Sequence, residues 1–493
     1  MGIVQRQTIK NNIVSLLAVA VAAVASIRIY PEDEALQGYM GSVAAYALLL
    51  VPLVSLGSTT VMVRFLPVVE GERMRAAGQL FTRSALTITA VLALLCGLNF
   101  LIGDWLIGWF VDLDDPEGII AHHRWAILGV LAALSYSGLL TTHLINFKRI
   151  AVPVIFNNLL LKLGAPALFL LIFTESLGRE WLDPGLVLLY GLVTVGLLTY
   201  ALSLGVLRPA WGRLRLQNTD LREVYRLALY SVLGAVGSRL TIYIDMITVG
   251  EVRGVSEAGI YSLAAFVVGV IILPYTAVNS ITSPIVAAAW ERRDFKELGF
   301  LYRESSLVLF AAGGLIYAGA LVCMPHVYGW TDNLGKYAIG YSAVILLGAA
   351  KLFDLLTSIN GNLIAMTAYY RWNVFFILFL GLLNVALNAL FLIVLDFGIA
   401  GAALATMISS VLYNILKVAL IWWKMGLQPL TGKHALVFIC LLGCALLAWL
   451  VPVPGNDVLA VGVRGGVLVA LFAMILYIWP IVPRIHGFMR DRI

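Results

Sequence analysis

Long apolar runs are the feature that most limits what this chain can fold into. Runs of about 20 residues with few charges recur along all 493 residues, and a helix of that length spans the hydrocarbon core of a bilayer. In the whole chain 61% of residues are hydrophobic and 12% are charged, whereas soluble domains are nearer half apolar and a quarter charged. The sequence therefore predicts an all-α integral membrane protein.

We predict about fourteen transmembrane helices. Their approximate limits are 9–29, 40–63, 81–102, 124–145, 151–173, 185–207, 227–249, 258–281, 301–323, 338–359, 372–395, 399–423, 434–451 and 458–482. The first run has no small-residue cleavage site before Pro31, so we expect a retained span rather than a signal peptide. Prolines Pro52, Pro153, Pro166, Pro274 and Pro284 are expected to bend or break spans 2, 5 and 8.

The loops between these spans alternate in charge. Segments predicted to face outward are acidic, such as 31–34 and 112–115, whereas segments predicted to face inward are basic, such as 208–226. Lys and Arg are enriched in cytoplasmic loops, so both termini are predicted to be cytoplasmic. The net charge of +6 is thereby explained by membrane sidedness, and no nucleic-acid partner is expected.

A weak internal repeat predicts the domain organisation. An offset of 221 pairs Gly38-Tyr39 with Gly259-Ile260, and an offset of 222 pairs Arg149 with Arg371. Repeats of the same orientation are related by an axis along the membrane normal. We predict an N-lobe at 1–207 (spans 1–6), a basic cytoplasmic linker at 208–226, a C-lobe at 227–425 (spans 7–12), and accessory spans 13 and 14 with a cytoplasmic tail at 426–493.

Charged residues inside the spans are the candidate functional residues. Lys162 and Arg239 are central in spans 5 and 7, and Lys351 lies in span 10 with Asp354 one turn later. Each such charge costs roughly 3 kcal/mol or more unless it faces protein or a water-filled cavity. Lys351 and Asp354 share a helix face and are expected to pair. Arg239 and Asp245 lie about 120° apart around their helix and are expected to be poor partners.

Two interpretations of these charges stay open. In the first, they hold helices together through interhelical pairs or backbone carbonyls. In the second, a cavity with excess positive charge near mid-membrane lowers the cost of moving a phosphate or pyrophosphate, which Arg binds with two parallel hydrogen bonds. An exporter of cationic drugs is expected to carry a lone carboxylate there instead.

Motifs of soluble enzymes are absent from the sequence. It contains no Gly-x-x-x-x-Gly-Lys phosphate loop, no Gly-x-Ser-x-Gly elbow and no paired-histidine metal motif. We therefore expect neither an enzyme nor a bound cofactor or metal, and leave H⁺ or Na⁺ coupling open. His122 and His123, at the predicted outer membrane edge, are expected to be a solvated pair without acidic partners.

The second half of the chain resembles a known transporter family. The blocks that carry the resemblance are Tyr243 to Gly250, Ala258 to Ser262, Ser283 to Val286, Leu301 to Ser306, Ser358 to Asn362, Tyr370-Arg371, Asn384 to Asn388 and Phe397 to Thr406. They are similar to those of Wzx-type polysaccharide flippases, in the superfamily that also holds MATE drug exporters and the lipid II flippase MurJ.

The resemblance implies two six-helix lobes around a cavity that opens alternately to each side of a bacterial inner membrane. It implies transport of an undecaprenyl-pyrophosphate-linked oligosaccharide to the periplasmic leaflet. Expected partners are this lipid-linked glycan and membrane lipids, with a glycan polymerase and glycosyltransferases as further candidates. A MATE-like cation-coupled drug exporter and a lipid II flippase are the alternatives; a membrane scaffold, polymerase or ligase ranks below them, because the outer connection at about 103–123 is short.

Seven residues form the predicted site. We expect the substrate to contact four cations and one polar residue of the spans. We expect the two acids to set the charge state of the site or to respond to a coupling ion. The substrate-binding candidates are Arg239, Lys162, Lys351, Arg28 and Asn12, and the coupling candidates are Asp245 and Asp354.

Overall fold

The computed structural model describes residues 14, 17–66, 73–107, 119–149, 151–212, 221–329, 339–453, 455 and 457–479. Helices make up most of these residues and no strand occurs among them, so the predicted all-α fold is confirmed. The helices are α1 Glu34–Ser55, α2 Ser58–Phe65, α3 Arg73–Ile107, α4 Ile119–Asn146, α5 Ala151–Phe173, α6 Leu182–Ser203, α7 Leu221–Arg253, α8 Val255–Ile271, α9 Leu273–Glu291, α10 Phe295–Tyr328, α11 Gly340–Thr357, α12 Asn360–Ala365, α13 Tyr370–Asn388, α14 Gly398–Met425, α15 Gly432–Leu450 and α16 Asp457–Ile478.

The described residues include 12 helices that are long and apolar enough to cross a membrane. Two predicted spans are not among them. Of span 1, predicted at 9–29, the structure describes residues 14 and 17–29. Span 8 is represented by α8, an apolar helix of 17 residues, which the single residue Ile272 separates from α9. With these two, the count agrees with the predicted fourteen.

Proline and glycine account for the interruptions of spans 2 and 8. Pro52 lies in the last turn of α1, and the chain then passes through Leu56 and Gly57, both with positive φ (45° and 72°), before α2 begins. Gly57 is favoured there because glycine has no Cβ to clash in the left-handed region. Pro274 occupies the first turn of α9, where its missing N–H is tolerated. The predicted breaks in these spans are confirmed.

Residues 1–259 form one compact unit. Its core lies among α1, α2, α3 and α4 and includes Val43, Met62, Ile88 and Leu131, none of which has exposed surface. Helix α7 packs along α1 in the same unit. Side-chain hydrogen bonds join α7 to α1 and to α2. The Tyr46 hydroxyl of α1 donates to Glu251 Oε1 of α7 at 2.6 Å, and the hydroxyls of Thr60 in α2 and Ser231 in α7 lie 2.6 Å apart.

A close helix crossing within this unit follows the predicted repeat. A Cβ added to Gly38 would lie 1.7 Å from the Val255 carbonyl oxygen, and one added to Gly259 would lie 2.0 Å from the Glu34 carbonyl oxygen. Residue 255 is residue 34 plus 221, and residue 259 is residue 38 plus 221. The two contacts are therefore reciprocal, and each requires glycine because the opposing atoms belong to rigid backbone.

Residues 260–493 form the second unit. One part of its core packs α10 against α15 and α16 through Phe310, Leu441 and Phe472. Another part centres on the fully buried Tyr302 of α10 and Leu363 of α12. The unit boundary at 259/260 lies beyond α7, whereas the predicted C-lobe begins at 227. The division into lobes, linker and accessory spans stays a prediction.

The predicted inter-lobe linker is described at both ends. At its start, the Ala210 N–H donates to Thr82 Oγ1 at 3.2 Å and Arg83 donates to the Gly212 carbonyl at 2.8 Å, so the chain lies against α3. At its end, residues 221–226 are the first turns of α7. Residues 213–220 lie outside the described residues.

Candidate functional site

Arg239 lies in the middle of α7 and is half-buried. Its Nη1 donates a hydrogen bond to the Tyr243 hydroxyl at 3.2 Å, and its guanidinium carbon lies 5.7 Å from the centroid of the Tyr243 ring. Both contacts come from the next turn of the same helix, so they orient the guanidinium without neutralising it. No carboxylate among the described residues forms an ion pair with Arg239.

Asp245 is on a different face of α7. It is only 4% exposed, whereas Arg239 is half-buried, and the two do not pair. The prediction that they are poor partners is confirmed, because six residues of α-helix separate their side chains by about a third of a turn.

Lys162 lies one residue inside the last, regular part of α5, which follows a π-helical stretch from Ile155 to Leu160. The side chain is half-buried, and no carboxylate among the described residues pairs with it. Lys162 and Arg239 are therefore two positive charges of the first unit, and no carboxylate among the described residues neutralises either of them.

The two remaining substrate-binding candidates lie on or near the first predicted span. Arg28 is in a π-helical turn, Ala25–Ile29, and its side chain is exposed. Asn12 lies outside the described residues.

In the second unit, Lys351 and Asp354 form the predicted pair. Lys351 Nζ lies 3.2 Å from Asp354 Oδ2, one turn further along α11, and the two side chains are 32% and 22% exposed. The other carboxylate oxygen accepts hydrogen bonds from Ser410 Oγ and Asn414 Nδ2 of α14, both at 2.6 Å. Asp354 is thus held by three donors, and the charge of Lys351 is balanced.

Asn414 extends this cluster toward the end of α11. Its side-chain oxygen accepts hydrogen bonds from Thr357 Oγ1 and Asn360 Nδ2, both at 2.9 Å. Between these two donors the chain turns sharply at Ser358, a non-glycine residue with φ 55° and ψ −126°. Ser358 Oγ donates to Ser305 Oγ at 2.8 Å. A backbone conformation of this kind costs about 1–3 kcal/mol and persists where the surroundings determine it.

Lys417 is a cation that the sequence analysis missed. It lies within predicted span 12 and is only 4% exposed. Its Nζ donates to the Tyr413 hydroxyl at 3.2 Å and lies 4.3 Å from the centroid of that ring. Its position between apolar neighbours in a 28-residue helix was the available signal.

The prediction for the histidine pair is wrong for His123. Its Nδ1 lies 3.0 Å from Asp183 Oδ2, and the Tyr39 hydroxyl donates to the same carboxylate. A cavity of about 330 Å³ lies beside these residues and is also lined by Asp33 and Arg179. Asp183 is 60 residues away in sequence, so only the packing of α4 on α6 brings it to His123.

Comparisons with known proteins identify the fold. No protein-family model matches the chain, and no curated protein matches it. Among solved structures, the lipid II flippase MurJ in an inward closed conformation is similar over 96% of this chain and 98% of its own, with a TM-score of 0.70 and 13% identity. A multidrug resistance MATE family transporter of the MOP superfamily, in an inward-facing conformation, is similar over 83% of this chain and 94% of its own, with a TM-score of 0.62 and 13% identity.

A MOP superfamily transporter from Pyrococcus furiosus is also similar, over 86% of this chain and 95% of its own, with a TM-score of 0.54 and 15% identity. At such identities the likeness is one of fold. The chain therefore has the fold of these membrane transporters.

Proposed function

We propose that the protein is a flippase that moves an undecaprenyl-pyrophosphate-linked oligosaccharide from the cytoplasmic to the periplasmic leaflet of a bacterial inner membrane. The glycan is an O-antigen, capsule or exopolysaccharide unit, the termini are cytoplasmic, and the mechanism is alternating access. The observation that carries the proposal is Arg239, a half-buried guanidinium in a membrane-length helix whose described partner is the Tyr243 side chain rather than an acid.

The physical argument concerns the diphosphate of the substrate. An anion that leaves water loses its hydration, and a fixed cation in a region of low dielectric offsets that loss more strongly than the same cation in water. A guanidinium held by a neutral tyrosine keeps its full charge and most of its five N–H donors for phosphate oxygens. Lys162 supplies a second, mobile positive charge in the same unit.

Asp354 is the better-placed of the two acids for setting the charge state. Its carboxylate is satisfied by Lys351, Ser410 and Asn414, so a proton on Asp354 would disturb three donors at once. Coupling to H⁺ or Na⁺ through Asp354 or Asp245 is part of the proposal. Flux into proteoliposomes under an imposed pH gradient or Na⁺ gradient distinguishes the two ions.

The test is transbilayer movement of a fluorescent undecaprenyl-pyrophosphate oligosaccharide by the purified full-length protein in proteoliposomes. We expect Arg239→Ala to slow movement at least about tenfold, the effect of losing one charge-assisted contact, and Arg239→Lys to retain part of it. Arg226→Ala is the matched control, because Arg226 is an exposed arginine in the first turns of the same helix, and its rate should equal that of the unmodified protein.

Two outcomes would overturn the proposal. One is normal movement by Arg239→Ala in protein that is folded by gel filtration. The other is equal movement of a neutral glycolipid with the same sugar and no phosphate, because a neutral cargo gives the cations no role.

A lipid II flippase is the second candidate, favoured by the likeness to MurJ over 96% of this chain. Lipid II also carries a pyrophosphate, so Arg239 would serve it in the same way. Parallel assays with lipid II, the oligosaccharide substrate and a cationic dye separate this candidate and a MATE-like drug exporter from the proposed function.

A further inference from the structure

Two apolar cavities in the second unit share a wall. The larger, about 560 Å³, lies among α10, α11 and α15. The smaller, about 390 Å³, lies between α11, α14 and the connection that follows α14. Phe353, Leu356 and Leu430 line both cavities, and we call these three residues the shared ridge. The two cavities therefore lie on either side of the shared ridge.

Polar and basic groups gather where the ridge reaches the connection at 426–431. Gln428 lines the smaller cavity and Thr431 lines the larger. Lys424 is the penultimate residue of α14 and Lys433 is the second residue of α15, and both side chains are exposed. Trp422 and Trp423 are 65% and 72% exposed beside them. Exposed tryptophans next to lysines mark the level of the lipid headgroups.

We infer that this surface binds one anionic phospholipid with two acyl chains, one chain in each cavity and the headgroup beside Lys424 and Lys433. Two chains that diverge from one glycerol match two cavities that diverge from one ridge, whereas a single polyprenyl chain would fill one cavity and leave the other. The two flanking lysines are complementary to an anionic headgroup, and basic residues at the membrane surface favour such lipids. The lining residues all belong to the second unit, whereas Arg239 and Lys162 belong to the first.

The bound lipid would contact the end of α11, whose residues are hydrogen-bonded to the polar cluster around Asp354. Ser306 Oγ donates to the carbonyl of Leu356, a ridge residue, at 2.5 Å and lies 2.9 Å from His434 Nε2. Thr357 lines the smaller cavity and donates to Asn414. Acyl chains on both sides of the ridge would thus pack against the turn of helix that precedes Ser358.

Native mass spectrometry of the full-length protein tests this assignment with three probes: phosphatidylglycerol, phosphatidylcholine with the same acyl chains, and undecaprenyl phosphate. We expect one phosphatidylglycerol to be retained more strongly than phosphatidylcholine. The double variant Lys424→Ala/Lys433→Ala should weaken phosphatidylglycerol binding by about 30-fold, as expected for two basic residues at an anionic lipid surface, and leave phosphatidylcholine unchanged.

Variants that fill the cavities separate chain binding from headgroup binding. Ala435→Trp fills the larger cavity and Ala419→Trp fills the smaller, and each should lower retention of both phospholipids. Leu446→Trp, at an exposed position of α15 outside both cavities, is the matched control and should change neither. Equal retention of the two phospholipids by the unmodified protein, retention of undecaprenyl phosphate that falls in either cavity variant, or unchanged phospholipid retention by both cavity variants would overturn the inference.

Discussion

Asp354 shows how a single residue determines the arrangement of its neighbours. Its two oxygens accept hydrogen bonds from a lysine on its own helix and from two neutral donors on α14. A carboxylate satisfied in this way holds both helices in one register, since each donor has a fixed direction. The Asp354 carboxylate also supplies the counter-charge of Lys351, and a partly buried ammonium without a counter-charge is costly.

We predict that Asp354→Asn lowers the free energy of unfolding by about 2 kcal/mol, less than the 3–5 typical of fully buried pairs because both side chains keep some solvent contact. The double variant Lys351→Met/Asp354→Asn should recover part of that loss, since no unbalanced charge remains. Thermal unfolding of the four members of this double-mutant cycle in detergent gives the coupling. Strictly additive losses would contradict the pairing argument.

At the scale of elements, the glycine crossing between α1 and α8 is a closely constrained packing contact of the first unit. Gly38 and Gly259 each oppose a backbone carbonyl of the other helix. A side chain at either position must move a helix, because backbone atoms have no rotamer to change. The reciprocal geometry means that neither glycine is dispensable.

We predict that Gly38→Ala and Gly259→Ala lower thermal stability by similar amounts, about 1–3 kcal/mol each, as overpacking does. Gly97→Ala is the control, since a Cβ at Gly97 of α3 meets nothing within 4 Å. Replacing a helical glycine in open space should raise stability by up to about 1 kcal/mol. Equal behaviour of the three variants would show that the crossing is not close-packed.

At the scale of the whole molecule, the sidedness of the loops is the prediction that underlies the direction of transport. The connection at 174–178 is predicted to face outward, and the connection at 426–431 is predicted to face inward, because basic residues flank it on both sides. This orientation also places Lys424 and Lys433 in the cytoplasmic leaflet.

Cysteine labelling in intact cells checks this orientation. The four cysteines, Cys96, Cys323, Cys440 and Cys444, are all free thiols, so replacing them with alanine gives a background without disulfide loss. In that background, a membrane-impermeant maleimide should label Ser176→Cys from outside and should label Gln428→Cys only after the cells are opened. The reverse pattern would invert the proposed direction of transport.

Hydropathy and charge were enough to predict much of this protein. Long apolar runs are forced into helices because backbone groups in hydrocarbon must bond within the segment, and the prolines at 52 and 274 mark real interruptions. The Lys351–Asp354 pair and the separation of Arg239 from Asp245 also followed from helical spacing. Such inferences succeed because they concern residues within about two turns of one helix.

Contacts between helices were beyond the sequence. Asp183 reaches His123, and Asn414 reaches Asp354, Thr357 and Asn360, across 54 to 60 residues of chain. The rotation of each helix about its axis decides such contacts, and in a span that is apolar on all sides no hydrophobic face fixes that rotation. The sequence by itself determined that this chain is a bundle of membrane helices with a few costly charges. The tertiary structure decided which charges are neutralised, because that depends on what the facing helix presents at the same depth.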